Sequence, residues 1–244
     1  MPWLPKAEPQ IMDDEGGFTE ALVQRYPVLA ASAAAIEQLG ELMLGTARAG
    51  GTILSCGNGG SAADADHIAG ELMKGFLLPR SLPGVLARQL RKLVLSVGNP
   101  SGLAAAPGAD PSADLAAKLA AHLESPIRAL SLCSNQALLT AIMNDQGSDM
   151  VFAQQVLGLC KPGDLLICLS TSGKSSNVVA AAALARALGA KVVALTGLGT
   201  GALAAYCDVV IKVPGTDAGQ VQDLHRPIYH ALCGHVENSL FGQV

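Results

Sequence analysis

Aromatic side chains are scarce in this 244-residue chain, which has four Phe, three Tyr and one Trp, 3% of the sequence. A core without large rings must be built from Ala, Leu and Val, and some apolar surface is expected to be hidden between subunits. Charge is scarce as well. Only 15% of residues are charged, and 20 acids against 16 bases give a net charge of −4. No basic field is available to draw nucleic acid or an anionic lipid surface. No uninterrupted run of about eighteen apolar residues occurs, so no segment is expected to span a membrane. The opening stretch, MPWLPKAEPQIMDDEGG, lacks an apolar core and carries four acids, unlike a secretion signal. The six cysteines, at 56, 133, 160, 168, 207 and 233, form no C-x-x-C pair. They read as buried thiols, and the chain as a cytoplasmic one.

What is present is half hydrophobic by composition, ample for one large core. Residues 1–17 read as a flexible tail and 18–244 as a single domain. Helix is expected from Phe18 to Ala49, interrupted at Pro27. A β-type run, Thr52–Cys56, then meets the glycine-rich Gly57-Asn-Gly-Gly-Ser61, and Ser61 is placed to cap a helix reaching Phe76. Two amphipathic pieces, Val85–Leu95 and Ala113–Leu123, flank a Pro/Gly/Ser/Ala stretch. Residues 77–126 therefore read as an inserted helical hairpin or lid. Beyond it, apolar runs at Ile127–Cys133, Asp164–Leu169, Lys191–Thr196 and Asp208–Val213 alternate with helical segments, among them Gln136–Met143 and Met150–Cys160. The last of these segments runs from Ala218 to Phe241. Five short strands alternating with helices imply an α/β fold with a parallel sheet covered on both faces. Ligands of such sheets bind beyond the carboxyl ends of the strands.

Two loops fall at that edge. Ser170-Thr-Ser-Gly-Lys-Ser175 offers four hydroxyls and the free amides of a helix start, a combination suited to a phosphate dianion. Its Gly-Lys-Ser resembles the end of a nucleotide-triphosphate loop, but Cys168 stands where the earlier glycine is required. The other loop, Gly57-x-Gly59-x-x-Ala62, fits the dinucleotide fingerprint. The next strand, however, ends Leu132-Cys133-Ser134, without the acid that would hold a ribose.

The polar residues cluster. His67 and Glu71 are four apart on the helix after the first loop and share a face. Gln222 and His230, eight apart in the last helix, also share one, with His225 between them. A carboxylate and an imidazole facing one sugar carbon suit proton transfer beside a carbonyl, through an enediolate. The same His, Glu, Gln and His could instead hold one Zn²⁺ whose charge would stabilise that enediolate. The sequence leaves the sharing of these roles open.

The segments SCGNGGSAADADHIAGELM (55–73), Asn144-Asp145, LSTSGKSSNVV (169–179) and VQDLHRPIYH (221–230) together resemble the sugar isomerase (SIS) domain. Within it they look most like the phosphoheptose isomerases. The resemblance implies a flavodoxin-like three-layer α/β/α sandwich on a five-stranded parallel sheet, assembled as a homotetramer acting on a phosphorylated sugar. By similarity, Asn58, Gly59, Gly60, Ser61, Asn144 and Asp145 would contact the sugar, and Ser170, Thr171, Ser172 and Ser175 the phosphate. Glu71 and His230 would be the acid/base pair. His67, Glu71, Gln222 and His230 would be Zn²⁺ ligands, with Gln222 also near the substrate. The chain departs from the family's pattern at Met73-Lys74-Gly75, where an arginine usually follows the glutamate, and at Gly219, where an acid is usual. A related non-enzymatic class associates with the bacterial replication initiator. It lacks the glutamate and last histidine that stand here as Glu71 and His230. A sugar-phosphate-sensing regulatory domain is a third reading, but the chain has no helix-turn-helix segment or basic patch to serve one.

Overall fold

A computed structural model describes residues 17–97, 111–199 and 201–242. The chain enters through α1 (Phe18–Arg25), a 3-10 turn (Pro27–Ser32) and α2 (Ala33–Arg48). Pro27 lacks an N–H and so ends the first helix, as its position in the sequence implies. By length and composition Pro27–Arg48 could cross a membrane. Here it is a core segment, with Leu29, Ile36, Leu39 and Met43 at most 1% exposed.

Next come β1 (Ile53–Gly57), α3 (Gly60–Met73), α4 (Gly84–Val97), α5 (Pro111–His122), β2 (Ala129–Ser131), α6 (Gln136–Asp145) and α7 (Ala153–Leu159). The chain finishes with β3 (Leu165–Leu169), α8 (Ser176–Ala187), β4 (Lys191–Thr196), β5 (Val209–Lys212) and the long α9 (Ala218–Phe241). Gly189, at φ 85°, closes α8: its own N–H reaches Arg186 O and that of Ala190 reaches Ala185 O.

All strand pairings among the described residues are parallel, in the order β2-β1-β3-β4-β5. Alternate residues feed opposite layers, as the two-residue period of a strand requires. Ile53, Leu165, Ile167 and Leu169 join the core under α1, α2, α3 and α9. Leu54, Cys56, Leu166 and Cys168 join the one under α6, α7 and α8. In the second layer Ala181, Ala182 and Ala185 of α8 are fully buried. Small side chains thus bring a helix close to the sheet where another protein would use rings. All six cysteines are free thiols.

Three local expectations need correction. Ser61 does not cap α3: the helix opens at Gly60 with Gly59 before it, and Ser61 is 3% exposed inside the first turn. Gly59 holds φ +57°, a conformation open to glycine, so the helix starts two residues earlier than a serine cap would allow. The expected strand 127–133 is three residues long, because only Ala129–Ser131 find register on β1. The helical run from Met150 divides into a 3-10 turn (Ser148–Met150) and α7.

The insertion forms a helical pair, α4 with α5, on a stitched neck. Ser81 and Glu124 form an isolated bridge, and Ser125 N–H donates to Arg80 O at 2.7 Å. Val85, Leu86, Leu93 and Leu95 of α4 are exposed. The expected tip of the insertion (98–110) and the expected tail, apart from Gly17, lie outside the described residues.

Candidate active site

In a 2-1-3-4-5 parallel sheet the strand order reverses between β1 and β3, and the crevice beyond their carboxyl ends is the usual place for a ligand. The loop leaving β1 is 58–59, and the one leaving β3 is 170–175. Both motifs singled out in the sequence therefore flank the switch point.

The first loop is compressed against its neighbours. A Cβ on Gly57 would stand 2.6 Å from Ser61 O, and one on Gly60 would stand 2.6 Å from the Gln222 Oε1 of α9. No larger residue fits either place without displacing backbone or the glutamine. Gln222 thus lies against the start of α3. The Asn58 side chain exchanges two hydrogen bonds with Asn177 of α8, at 2.9 and 3.0 Å, joining the two loops.

In the second loop the four hydroxyls divide by task. Ser170 is buried, accepts from Gly173 N–H at 3.2 Å and pairs with Ser175 Oγ at 3.2 Å, so these two brace the turn. Thr171 and Ser172, with Lys174, line a cavity of about 340 Å³ closed by 197–199 and 215–218. Asn144 and Asp145, hydrogen-bonded to each other at 2.8 Å, are exposed at the end of α6.

Two turns below the first loop, α3 and α9 bring together the other predicted residues. His67 Nε2 lies 2.9 Å from Glu71 Oε1 and 3.4 Å from His230 Nε2. The Tyr229 hydroxyl donates to Asp64 Oδ1 at 3.0 Å and lies 3.2 Å from His67 Nδ1, so both nitrogens of His67 are engaged. Burial, and then the neighbouring His67, hold the His230 imidazole below its ordinary pKa, which favours the neutral ring at pH 7. Burial raises the Asp64 carboxyl, against the pull of the Tyr229 hydrogen bond, and Asp64 Oδ2 is buried without a partner. Burial and Asp64 push Tyr229 up to about 12. His225, by contrast, is fully buried in α9, and desolvation pushes it down to about 4. It faces the core and takes no part in the cluster.

His67, Glu71 and His230 suit zinc in kind, since neutral imidazole and carboxylate are ligands of that ion, whereas the Gln222 carboxamide lies against Gly60. Among the described residues, however, no three His, Cys, Asp or Glu side chains are arranged to hold a metal. His67 Nε2, the atom a metal would need, is already shared between Glu71 and His230.

Asp64 and Tyr229 belong to this site although no motif singled them out. Spacing could have found Asp64, three residues before His67 on the same helix face. Arg80 carries no such signal, since its partner Glu237 is 157 residues away. Both side chains are wholly buried, with Nε 2.6 Å from Oε1. Arg80 also donates to the Leu72 and Glu71 carbonyls at 2.6 and 3.1 Å, capping α3 where Glu71 sits.

A family model for the SIS domain matches residues 18–103 and 91–197. The phosphoheptose isomerase of Rhodospirillum rubrum is 35% identical over 230 residues, covering 94% of this chain and 99% of the relative. That of Mycobacterium tuberculosis is 36% identical over 207 residues, covering 85% and 83%. The structure of phosphoheptose isomerase from Neisseria gonorrhoeae superposes with a TM-score of 0.65 at 30% identity, covering 91% of this chain and 95% of the other. One from Francisella tularensis gives 0.66 at 27%, with the same coverage. On the sheet order, the two loops and these similarities, the chain belongs to the SIS domain family and groups with its phosphoheptose isomerases.

Proposed function

We propose that the chain is an aldose–ketose isomerase converting sedoheptulose 7-phosphate to a manno-heptose 7-phosphate. The observation that carries the proton-transfer chemistry is the meeting of Glu71, His67 and His230 across α3 and α9, at 2.9 and 3.4 Å. The names of the relatives support the choice of substrate.

The phosphate is held at the start of α8 by the hydroxyls of Thr171 and Ser172 and by the loop amides, which the helix dipole makes favourable for an anion. Ser170 and Ser175 keep that loop in shape. With the far end anchored, the open-chain sugar extends past Asn58 and the 59–61 turn, and Asn144 and Asp145 offer partners to its hydroxyls. Glu71 removes a proton from C1 of the ketose, leaving an enediolate, and a proton returns at C2 to give the aldose. His230, neutral at pH 7, moves the hydroxyl proton between the oxygens on C1 and C2. By the resemblance, His67, Glu71, Gln222 and His230 would be the residues to hold Zn²⁺, whose positive charge would favour the enediolate. His67 Nε2 would first have to leave Glu71 and His230, and Gln222 the turn at Gly60. Metal analysis of the purified chain and of His67→Ala tests that part separately: stoichiometric zinc in the wild type, lost in the variant, is the expected result.

We place the protein in the cytoplasm, where its six free thiols stay reduced. We also propose assembly as a homotetramer, supported by the exposed Val85, Leu86, Leu93 and Leu95 of α4. Light scattering on a sizing column tests the mass.

The deciding experiment is proton exchange followed by NMR with sedoheptulose 7-phosphate in D₂O, with and without added Zn²⁺. Deuterium entering C1 of the ketose and C2 of the aldose product supports the isomerase. Binding without exchange would make the chain a phosphosugar-binding regulatory or replication-initiator-associating protein instead.

A further inference from the structure

We infer that Asn177 is a positioning residue: through Asn58 it fixes the sugar-contacting loop relative to the phosphate loop. This rests on the substrate reading above and deepens it.

The two carboxamides are paired reciprocally. Asn58 Nδ2 donates to Asn177 Oδ1 at 2.9 Å, and Asn177 Nδ2 donates to Asn58 Oδ1 at 3.0 Å. Asn177 Oδ1 also accepts the backbone N–H of Val178 at 2.9 Å, which ties the side chain to the first turn of α8. A carboxamide has two N–H donors and one oxygen with two lone pairs. The pairing uses one donor and one lone pair of Asn58. Turning the Asn58 amide over would set N–H against N–H and oxygen against oxygen. The remaining donor and lone pair of Asn58 are therefore presented in one sense only.

The two ends of the latch belong to different anchors. Asn58 stands on the loop after β1, beside the Gly59–Gly60 turn that Gln222 presses upon. Asn177 stands two residues beyond Ser175, on the helix whose entry loop carries Thr171 and Ser172. Phosphate alone touches only the second anchor, whereas a sugar phosphate must span both. Asn177 itself touches neither the phosphate cavity nor the Glu71 cluster. Its contribution passes through its partner.

The test is Asn177→Ala, measured beside Asn58→Ala and the double variant. Initial rates give KM and kcat for sedoheptulose 7-phosphate, and inorganic phosphate is the competitive probe of the second loop alone. Loss of two neutral hydrogen bonds that orient one contact is expected to raise KM about fivefold. The expected kcat stays within about twofold, because a contact made equally to substrate and transition state moves KM alone. Phosphate inhibition should be unchanged, and Asn177→Ala should add nothing once Asn58 is alanine.

An unchanged KM in Asn177→Ala overturns the inference. So does a phosphate constant that rises with KM, which would mean that the start of α8 had merely loosened. A cost that persists in the Asn58→Ala background overturns it too. If the wild-type chain neither turns over nor binds the heptulose phosphate, the substrate reading fails and this inference falls with it. Wild-type turnover with an unaltered variant sinks the inference alone.

Discussion

Replacing Glu237 by leucine removes more than one ion pair. The Glu237 carboxylate accepts from Arg80 Nε and from the backbone N–H groups of Phe76, Leu77 and Leu78, at 2.6 to 3.0 Å. The guanidinium left behind is wholly buried and keeps only the Leu72 and Glu71 carbonyls as partners. An uncompensated buried charge costs about 3–5 kcal/mol. For a chain of this size each kcal/mol lowers Tm by about 2–4 °C, so a fall of roughly 6–20 °C is expected by calorimetry or circular dichroism. Arg80→Met/Glu237→Leu removes both charges and leaves an apolar interior of similar volume, with Phe241 against the former guanidinium site. It should melt above Glu237→Leu alone, because the stranded charge is the larger penalty. If the double variant melts lower than the single one, the unpaired guanidinium is not the dominant cost and the reasoning is wrong.

Glu71→Gln should abolish turnover of sedoheptulose 7-phosphate while ligand-induced thermal protection persists; measurable turnover would remove the carboxylate from the proton transfer. Ser172→Ala, which strips a hydroxyl from the phosphate cavity, should raise KM about 10- to 100-fold by loss of one charge-assisted hydrogen bond, and an unchanged KM counts against that assignment. His225 gives a pH signature. Its pKa is about 4 when folded against 6.5 when free, so the unfolded state binds the proton first as pH falls. Stability from this residue is complete above pH 6.5 and is lost progressively down to about pH 4, by at most about 3 kcal/mol. His225→Leu should flatten the fall of Tm between pH 6.5 and 4.5, and parallel curves for the two proteins would refute this account.

The resemblance and the apolar periodicity made the sheet and the two loops legible before any coordinates, because strands and glycine turns are written in short local patterns. The His67–Glu71 pair was equally visible as an i,i+4 spacing. Ser61 misled, since a serine after glycines looks like a cap until the positive φ of Gly59 shows where the helix starts. Ser170 and Ser175 read as ligand hydroxyls from the sequence, and only the fold adds that they also brace the turn through each other and Gly173 N–H. The β1–β3 pairing within the order 2-1-3-4-5, which puts both loops at one crevice, joins segments more than a hundred residues apart. Arg80 with Glu237, and Asn58 with Asn177, are legible only there, because long-range polar pairs leave no period in the chain. Composition and local pattern thus determined the layers, the two loops and the kinds of chemistry on offer. Tertiary packing alone decided which side chains meet, because burial and hydrogen-bond geometry depend on neighbours distant in sequence.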